Sequence, residues 1–136
     1  MTQSGLMGAV LYAKDMDRLV RFYSAVTGIA PRAVHEGHAI LGSNPQEFII
    51  VRMPRRIADT IEIAVPPEAR EDTPIKLIFA VESIADARER AAALGGALNA
   101  AKREWTFQGD RVCDGLDPEG NVFQLRQSLP PDHLVD

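Results

Sequence analysis

The sequence predicts an α+β fold made of two β-α-β-β-β modules within one domain, and three observations carry that prediction. Each half opens with an apolar strand-like run followed by an amphipathic helical pattern, then by short runs separated by turn residues. The halves share a register: Lys76 follows Gly8, Ser83 follows Asp15 and Gly96 follows Gly28, each by 68 positions (76 − 8, 83 − 15, 96 − 28), which marks an internal duplication. Finally, Asp117-Pro118-Glu119-Gly120-Asn121 reads as a tight turn feeding a last strand, with proline fixing φ and glycine free to take φ > 0.

Taken in order, residues 7–13 are short and apolar with no polar face, so they read as a strand covered on both sides. Asp15 then offers an N-cap. Met16, Leu19, Val20 and Tyr23 recur at helical spacing with Arg18 and Arg21 on the outer face, and Gly28 is the C-terminal stop. Residues 32–35, 38–41 and 47–52 form three strands of an antiparallel meander, broken by Glu36-Gly37 and by Gly42-Ser43-Asn44-Pro45. The first module thus covers residues 6–53. Residues 54–74, with Pro54, Pro66, Pro67 and Pro74, are the linker, and a small strand is expected within it at 60–65.

The second module covers residues 75–127. Residues 75–81 are a strand, and Ser83 with Asp86 three positions on forms a capping box. Ile84, Ala87, Ala91 and Leu94 line the inner face of the helix that follows, and Gly95-Gly96 ends it. A second meander is expected at 98–107, 110–115 and 121–127. In its last strand Phe123 and Leu125 point one way, while Val122, Gln124 and Arg126 point the other. Residues 128–136 read as a loose tail. One helix cannot cover both faces of a four-stranded sheet, so the modules must pack together, either within one chain or by exchange between two.

A chain of 136 residues suits a single domain with a real core. A net charge of −4 with dispersed basic residues gives no footprint for nucleic acid or for an anionic membrane, and neither is expected as a partner. No apolar run approaches the ~20 residues needed to span a bilayer, and the N-terminus lacks a signal-peptide pattern, so a cytoplasmic location is expected. The single Cys113 cannot form an internal disulfide; it reads as a small core residue sooner than as a nucleophile.

The paired modules, Asp15-Met16-Asp17-Arg18-Leu19-Val20-Arg21-Phe22-Tyr23 in the first and Asp117-Pro118-Glu119-Gly120-Asn121 before the last strand of the second resemble the glyoxalase / bleomycin-resistance / dioxygenase (vicinal oxygen chelate) superfamily over nearly the whole chain. The resemblance implies two half-barrels of curved sheet around a cavity, helices outside, and a homodimer. In metal-dependent members, the ion is held from the first and last strands of each repeat. Carried over by register, those positions fall at Gly8, Lys76, Gln124 and, within about one residue, Ile50. A divalent ion requires imidazole or carboxylate donors there. Glycine and isoleucine supply none, Gln124 offers one weak amide oxygen, and Lys76 places an ammonium where the dication would sit. No metal site and no cofactor are therefore expected. The histidines are His35, His38 and His133; an odd spacing puts His35 and His38 on opposite faces of a continuous strand, though a hairpin would bring them nearer.

The candidate ligand-binding residues are Tyr12, Arg52, Lys76, Trp105, Phe107 and Gln124. Lys76 is either a point charge for an anionic group in the cavity or a lysine that snorkels or pairs with an acid such as Glu104. Gln124 either orients a polar group of the ligand or satisfies a neighbouring side chain. Tyr12 shares a strand face with Gly8 and Val10, lining the cavity or packing in the core. Trp105 and Phe107 share strand parity and either stack on a planar ligand or cover a dimer interface. Arg52, on the face of Ile50, is an anion clamp or a solvated rim charge. His38 and Lys76 are the candidates for catalysis if there is any. The reading that results is a small-molecule-binding protein with a mostly apolar cavity and no family metal. The alternatives are an enzyme of the superfamily (lyase, isomerase or dioxygenase) using a relocated metal or Lys/His catalysis, and a regulatory module whose cavity is filled.

Overall fold

The computed structural model describes residues 4–131, so His133 and the end of the expected tail lie outside the described residues. The first half runs β1 (Gly8–Ala13), α1 (Met16–Thr27), β2 (Pro31–Val34), β3 (His38–Leu41) and β4 (Glu47–Arg52). After a short α2 (Arg55–Ala58) come β5 (Leu77–Ala80), α3 (Ile84–Ala93), β6 (Ala97–Leu98), β7 (Trp105–Phe107), β8 (Asp110–Leu116) and β9 (Val122–Ser128). The sheets have strand orders β1-β4-β3-β2 and β5-β9-β8-β6, with β7 also paired to β8. In both, the first strand runs parallel to the last and the other pairs are antiparallel. The duplicated register thus becomes a duplicated topology of unclosed, curved sheets.

Both helices begin where the sequence places them. The Asp15 side chain accepts from Arg18 N at 3.1 Å, and the Ser83 side chain accepts from Asp86 N at 3.1 Å. Gly28 closes α1 in the left-handed region, and its N–H donates to Ser24 O at 3.0 Å. In α3 it is Gly95, not Gly96, that takes positive φ. Gln127 Oε1 additionally accepts from Ile84 N at 2.8 Å, so the start of α3 has two acceptors from different elements. Ser83→Ala is accordingly expected to cost about 0.5–1 kcal/mol, the low end for a lost N-cap, measured by urea denaturation.

Three expectations are corrected. β1 is covered on one side only: Ala13 is buried, whereas Gly8, Val10 and Tyr12 are exposed. The strand expected at 60–65 is irregular, and helix α2 precedes it instead. Pro54 starts that helix, its carbonyl accepting from Ile57 N and Ala58 N, and Ile61 O accepts from Lys14 Nζ in place of a strand partner. The run at 98–107 breaks into β6, a 3-10 turn (Ala101–Arg103) and β7. The turn carries Glu104 toward α3, where it meets Arg88, while Trp105 and Phe107 remain exposed.

The modules meet through their helix-covered faces. α1 packs on α3, and Phe22, Tyr23, Phe48, Phe79 and Phe123 form one aromatic cluster drawing from both halves. Tyr23 lies at its centre, with ring centroids at 5.3 Å from Phe22, 5.1 Å from Phe48 and 5.6 Å from both Phe79 and Phe123.

The Asp117–Asn121 turn is the polar counterpart of this cluster. Asp117, fully buried, accepts from Tyr23 Oη at 2.7 Å, Asn121 Nδ2 at 2.8 Å, Glu119 N at 2.8 Å and Asn121 N at 3.0 Å. The buried Glu119 carboxylate reaches into the first module and accepts from Lys14 N at 2.9 Å and Asp15 N at 2.7 Å. Two carboxylates of the second module thereby fix the entry to α1 and a hydroxyl on its inner face. Gly120 takes φ +85°, and a β-carbon there would collide with Glu68 O, so the linker lies directly on the turn.

Candidate functional site

Strand alternation sorts the second sheet into two faces. Phe79, Phe123, Leu125 and Cys113 face the helices and are buried. On the opposite, open face, Ile78 pairs with Gln124, Gln124 with Asp114, Arg126 with Val112, and Val112 with Trp105. A chain of polar contacts crosses this face. Lys76 Nζ donates to Asp114 Oδ2 at 2.8 Å, Gln124 Nε2 to Asp114 Oδ1 at 3.2 Å, and Arg126 Nε to Gln124 Oε1 at 3.0 Å. Only this amide orientation lets Gln124 serve both neighbours, because a carboxylate accepts and a guanidinium donates. The Arg126 Cζ lies 5.1 Å from the centroid of the exposed Phe107 ring.

Four sequence-predicted residues therefore share one face: Lys76, Gln124, Trp105 and Phe107. Asp114 and Arg126, which connect them, were not among the candidates. The spacing of 110–116 against 122–128 holds the signal, since pairing the two runs as a hairpin places Asp114 opposite Gln124. Lys76 pairs with Asp114 and not with Glu104. Glu104 is turned to the helix side, where it meets Arg88 and, at 3.4 Å, Arg111. Cys113 lies on that side too, 3.6 Å from an Arg88 nitrogen. Burial pushes the Cys113 thiol up, an effect Arg88 opposes only in part, so the thiolate that a nucleophile needs is disfavoured.

Tyr12 and His38 lie on the open face of the first sheet, both in register with Val51. The Glu36-Gly37 hairpin, closed by a 2.8 Å bond from His35 N to His38 O, brings the His35 and His38 rings to 4.8 Å between centroids. Arg52 belongs to neither open face. Its Nε donates to Glu36 O at 2.9 Å and its guanidinium approaches Asp17 of α1 at 3.8 Å, so it braces the hairpin against the helix side.

The four family metal positions do not fit a divalent ion. Gln124 occupies the register of Ile49, one residue before the expected Ile50, because Ile78 pairs with Gln124 as Val10 pairs with Ile49. Ile50 faces the core and is fully buried. Ile49 has no donor atom. At Gly8 a β-carbon would collide with the Glu47 carbonyl oxygen, so this backbone has no room for a ligating side chain. The Lys76 ammonium is ion-paired and the Gln124 amide oxygen is taken by Arg126. Among the described residues no group of three or more His, Cys, Asp or Glu is disposed to hold a metal.

A hollow of about 520 Å³ lies between the end of α1 and the start of α3, lined by Val26, Gly28, Val81, Glu82, Asp86 and Arg90 among others; none of the predicted site residues borders it. No described helix is long and apolar enough to cross a membrane.

Solved structures share this architecture. A glyoxalase/bleomycin resistance protein/dioxygenase family enzyme from Burkholderia phytofirmans aligns with a TM-score of 0.66 at 18% identity, covering 93% of this chain and 100% of that one. The fosfomycin resistance protein FosX from Mesorhizobium loti aligns at 0.62 and 12% identity over 99% and 100% of the two chains. A bleomycin resistance determinant encoded on transposon Tn5 gives 0.58 and 14% identity over 93% and 100%. At these identities the likeness is one of fold. Comparison with curated protein sequences finds no match. Residues 8–126 match the glyoxalase-like domain family, which takes in both modules and the open-face residues of each, and the chain belongs to that family.

Proposed function

We propose that the protein binds a small molecule on the open face of the second module, without the family metal, in a cavity closed by a second copy of the chain. The observation that carries this reading is the state of the four ligand positions: Gly8 and Ile49 have no donor, while Lys76 and Gln124 are committed to Asp114 and Arg126. What occupies the face instead is a hydrogen-bonded polar row beside Trp105, Phe107 and Ile78, an apolar lining with a few fixed polar groups. The closing copy is supported by Val10, Tyr12 and Ile78, which are 53%, 59% and 54% exposed on faces that a second layer would cover. The fosfomycin and bleomycin resistance proteins of the same fold support a small organic ligand.

The test is elemental analysis of purified protein, paired with light scattering and binding of a small-molecule panel. The expected result is a dimer that binds without stoichiometric metal. A tightly held ion whose removal abolishes binding sinks the proposal, and a monomer removes its second copy. A second reading, an enzyme of the superfamily with a relocated metal, is favoured by the close approach of His35 and His38. It requires Zn2+ binding that His35→Ala and His38→Ala both abolish, together with a turnover lost in the same variants.

A further inference from the structure

Arg126 is half-buried on the open face of the second sheet, yet its charge is not neutralised by the groups around it. Its Nε is held by Gln124 at 3.0 Å, and Gln124 is neutral. The nearest acid in that chain of contacts, Asp114, is already paired with Lys76 at 2.8 Å. Lys76, Asp114 and Arg126 carry one net positive charge between them, and on the face as a whole Asp110 offsets it without pairing with Arg126. Asp110, on the same face, sits across from Ser128, and Arg126 is in none of the ion pairs among the described residues. The guanidinium instead lies on the Phe107 ring, and the next residues across the sheet from Arg126 are the fully buried Val112 and then Trp105.

We propose that Arg126 is the seat for the oxyanion of the ligand, and that the ligand is a small organic acid whose planar apolar body lies against Trp105 and Phe107. The inference rests on the binding reading above and names the ligand class of that site. With Nε tied to Gln124, the guanidinium plane is fixed and its terminal N–H groups are left to grip two oxygens of one anion in parallel. The relay from Lys76 through Asp114 and Gln124 sets this orientation: Lys76 neutralises Asp114, so Asp114 cannot draw Arg126 away. Lys76 is thus a positioning residue, and the anion belongs to Arg126. Carboxylate, phosphate and phosphonate share this chemistry.

The chain's one tryptophan, Trp105, is exposed on the same face and reports directly on occupancy. Full-length protein is titrated with benzoate, phenylphosphonate and neutral benzamide while Trp105 fluorescence is followed. Benzoate or phenylphosphonate is expected to bind about ten- to a hundredfold tighter than benzamide, the range for a hydrogen-bonded charge, and the stronger of the two identifies the oxyanion. Arg126→Gln is expected to erase this preference, so that acid and amide bind alike, while the melting temperature stays near wild type. Arg126→Lys, the control against misfolding, keeps part of it. Raising the salt concentration narrows the gap between acid and amide. The proposal is overturned if Arg126→Gln leaves the anion preference intact, or if it weakens the dimer without touching that preference, in which case a carboxylate of the second copy is the anion. Equal binding of all three probes overturns the ligand class alone; no binding by any of them, at Trp105 or by calorimetry, overturns the site with it.

Discussion

Asp117→Ala is expected to lower the unfolding free energy by about 3–5 kcal/mol, since it orphans several buried donors at about 1–3 kcal/mol each before the turn relaxes. The four donors are the Tyr23 hydroxyl, the Asn121 side-chain amide and the backbone N–H groups of Glu119 and Asn121. A domain of this size has roughly 5–15 kcal/mol in total, so the loss is a large share of it. Tyr23→Phe removes one donor and is expected to cost about 1–2 kcal/mol, and a double-mutant cycle with Asp117→Ala should show strong non-additivity. Burial, reinforced by the Asp117 carboxylate, pushes the Tyr23 phenol well above its ordinary value. The sign of the linkage follows: a phenol whose folded pKa is raised contributes stability that is complete below the unfolded value of about 10 and is lost as pH rises beyond it. Urea denaturation at neutral and strongly alkaline pH checks this, with Tyr23→Phe expected to flatten the alkaline decline. A cost for Asp117→Ala below about 1 kcal/mol would mean that the turn is satisfied by solvent and does not join the modules.

Phe123→Ala is expected to cost about 3–5 kcal/mol, the usual range for removing a fully buried phenyl ring. Phe123 contacts Phe22 and Tyr23 from α1 and Phe79 from β5, so its loss opens a void that neither module can fill alone. Because the rings come from both halves, the two modules are expected to unfold in one transition, with coincident circular dichroism and fluorescence curves. Two separated transitions in wild type would contradict the shared core. Trp105→Ala, on the open face, is the contrast: its effect on stability is expected within about 0.5 kcal/mol.

Much of the fold was legible because local signals agreed with tertiary demands. Asp15, Ser83 and Gly28 stand at helix ends for reasons contained in a few neighbouring residues, and the constant offset between halves needed only counting. Strand edges were legible where a turn residue bounded them, as at His38–Leu41 and Glu47–Arg52. The failures came where a distant group decided the outcome. Residues 60–65 have a strand-like pattern, but Lys14 takes the Ile61 carbonyl. Residues 98–107 were broken by Arg88 drawing Glu104 toward α3. For the site, the family resemblance singled out Lys76 and Gln124 and strand parity joined Trp105 to Phe107, but that the two pairs share one face follows only from the strand pairing. Neither could reveal which acid Lys76 would choose, because that depends on the register between β8 and β9. Arg52 was assigned through Ile50, and a shift of one residue in a strand exchanges the two faces.

The contact of β1 with β4 at Gly8 has a consequence for anyone redesigning this scaffold. A histidine grafted at position 8 would first have to displace the Glu47 carbonyl and the parallel pairing that follows it. Substituting back the residues of a metalloenzyme therefore does not retrace the route by which the two architectures differ. The second module, whose donors are already present and merely engaged with one another, is the more open starting point for new chemistry.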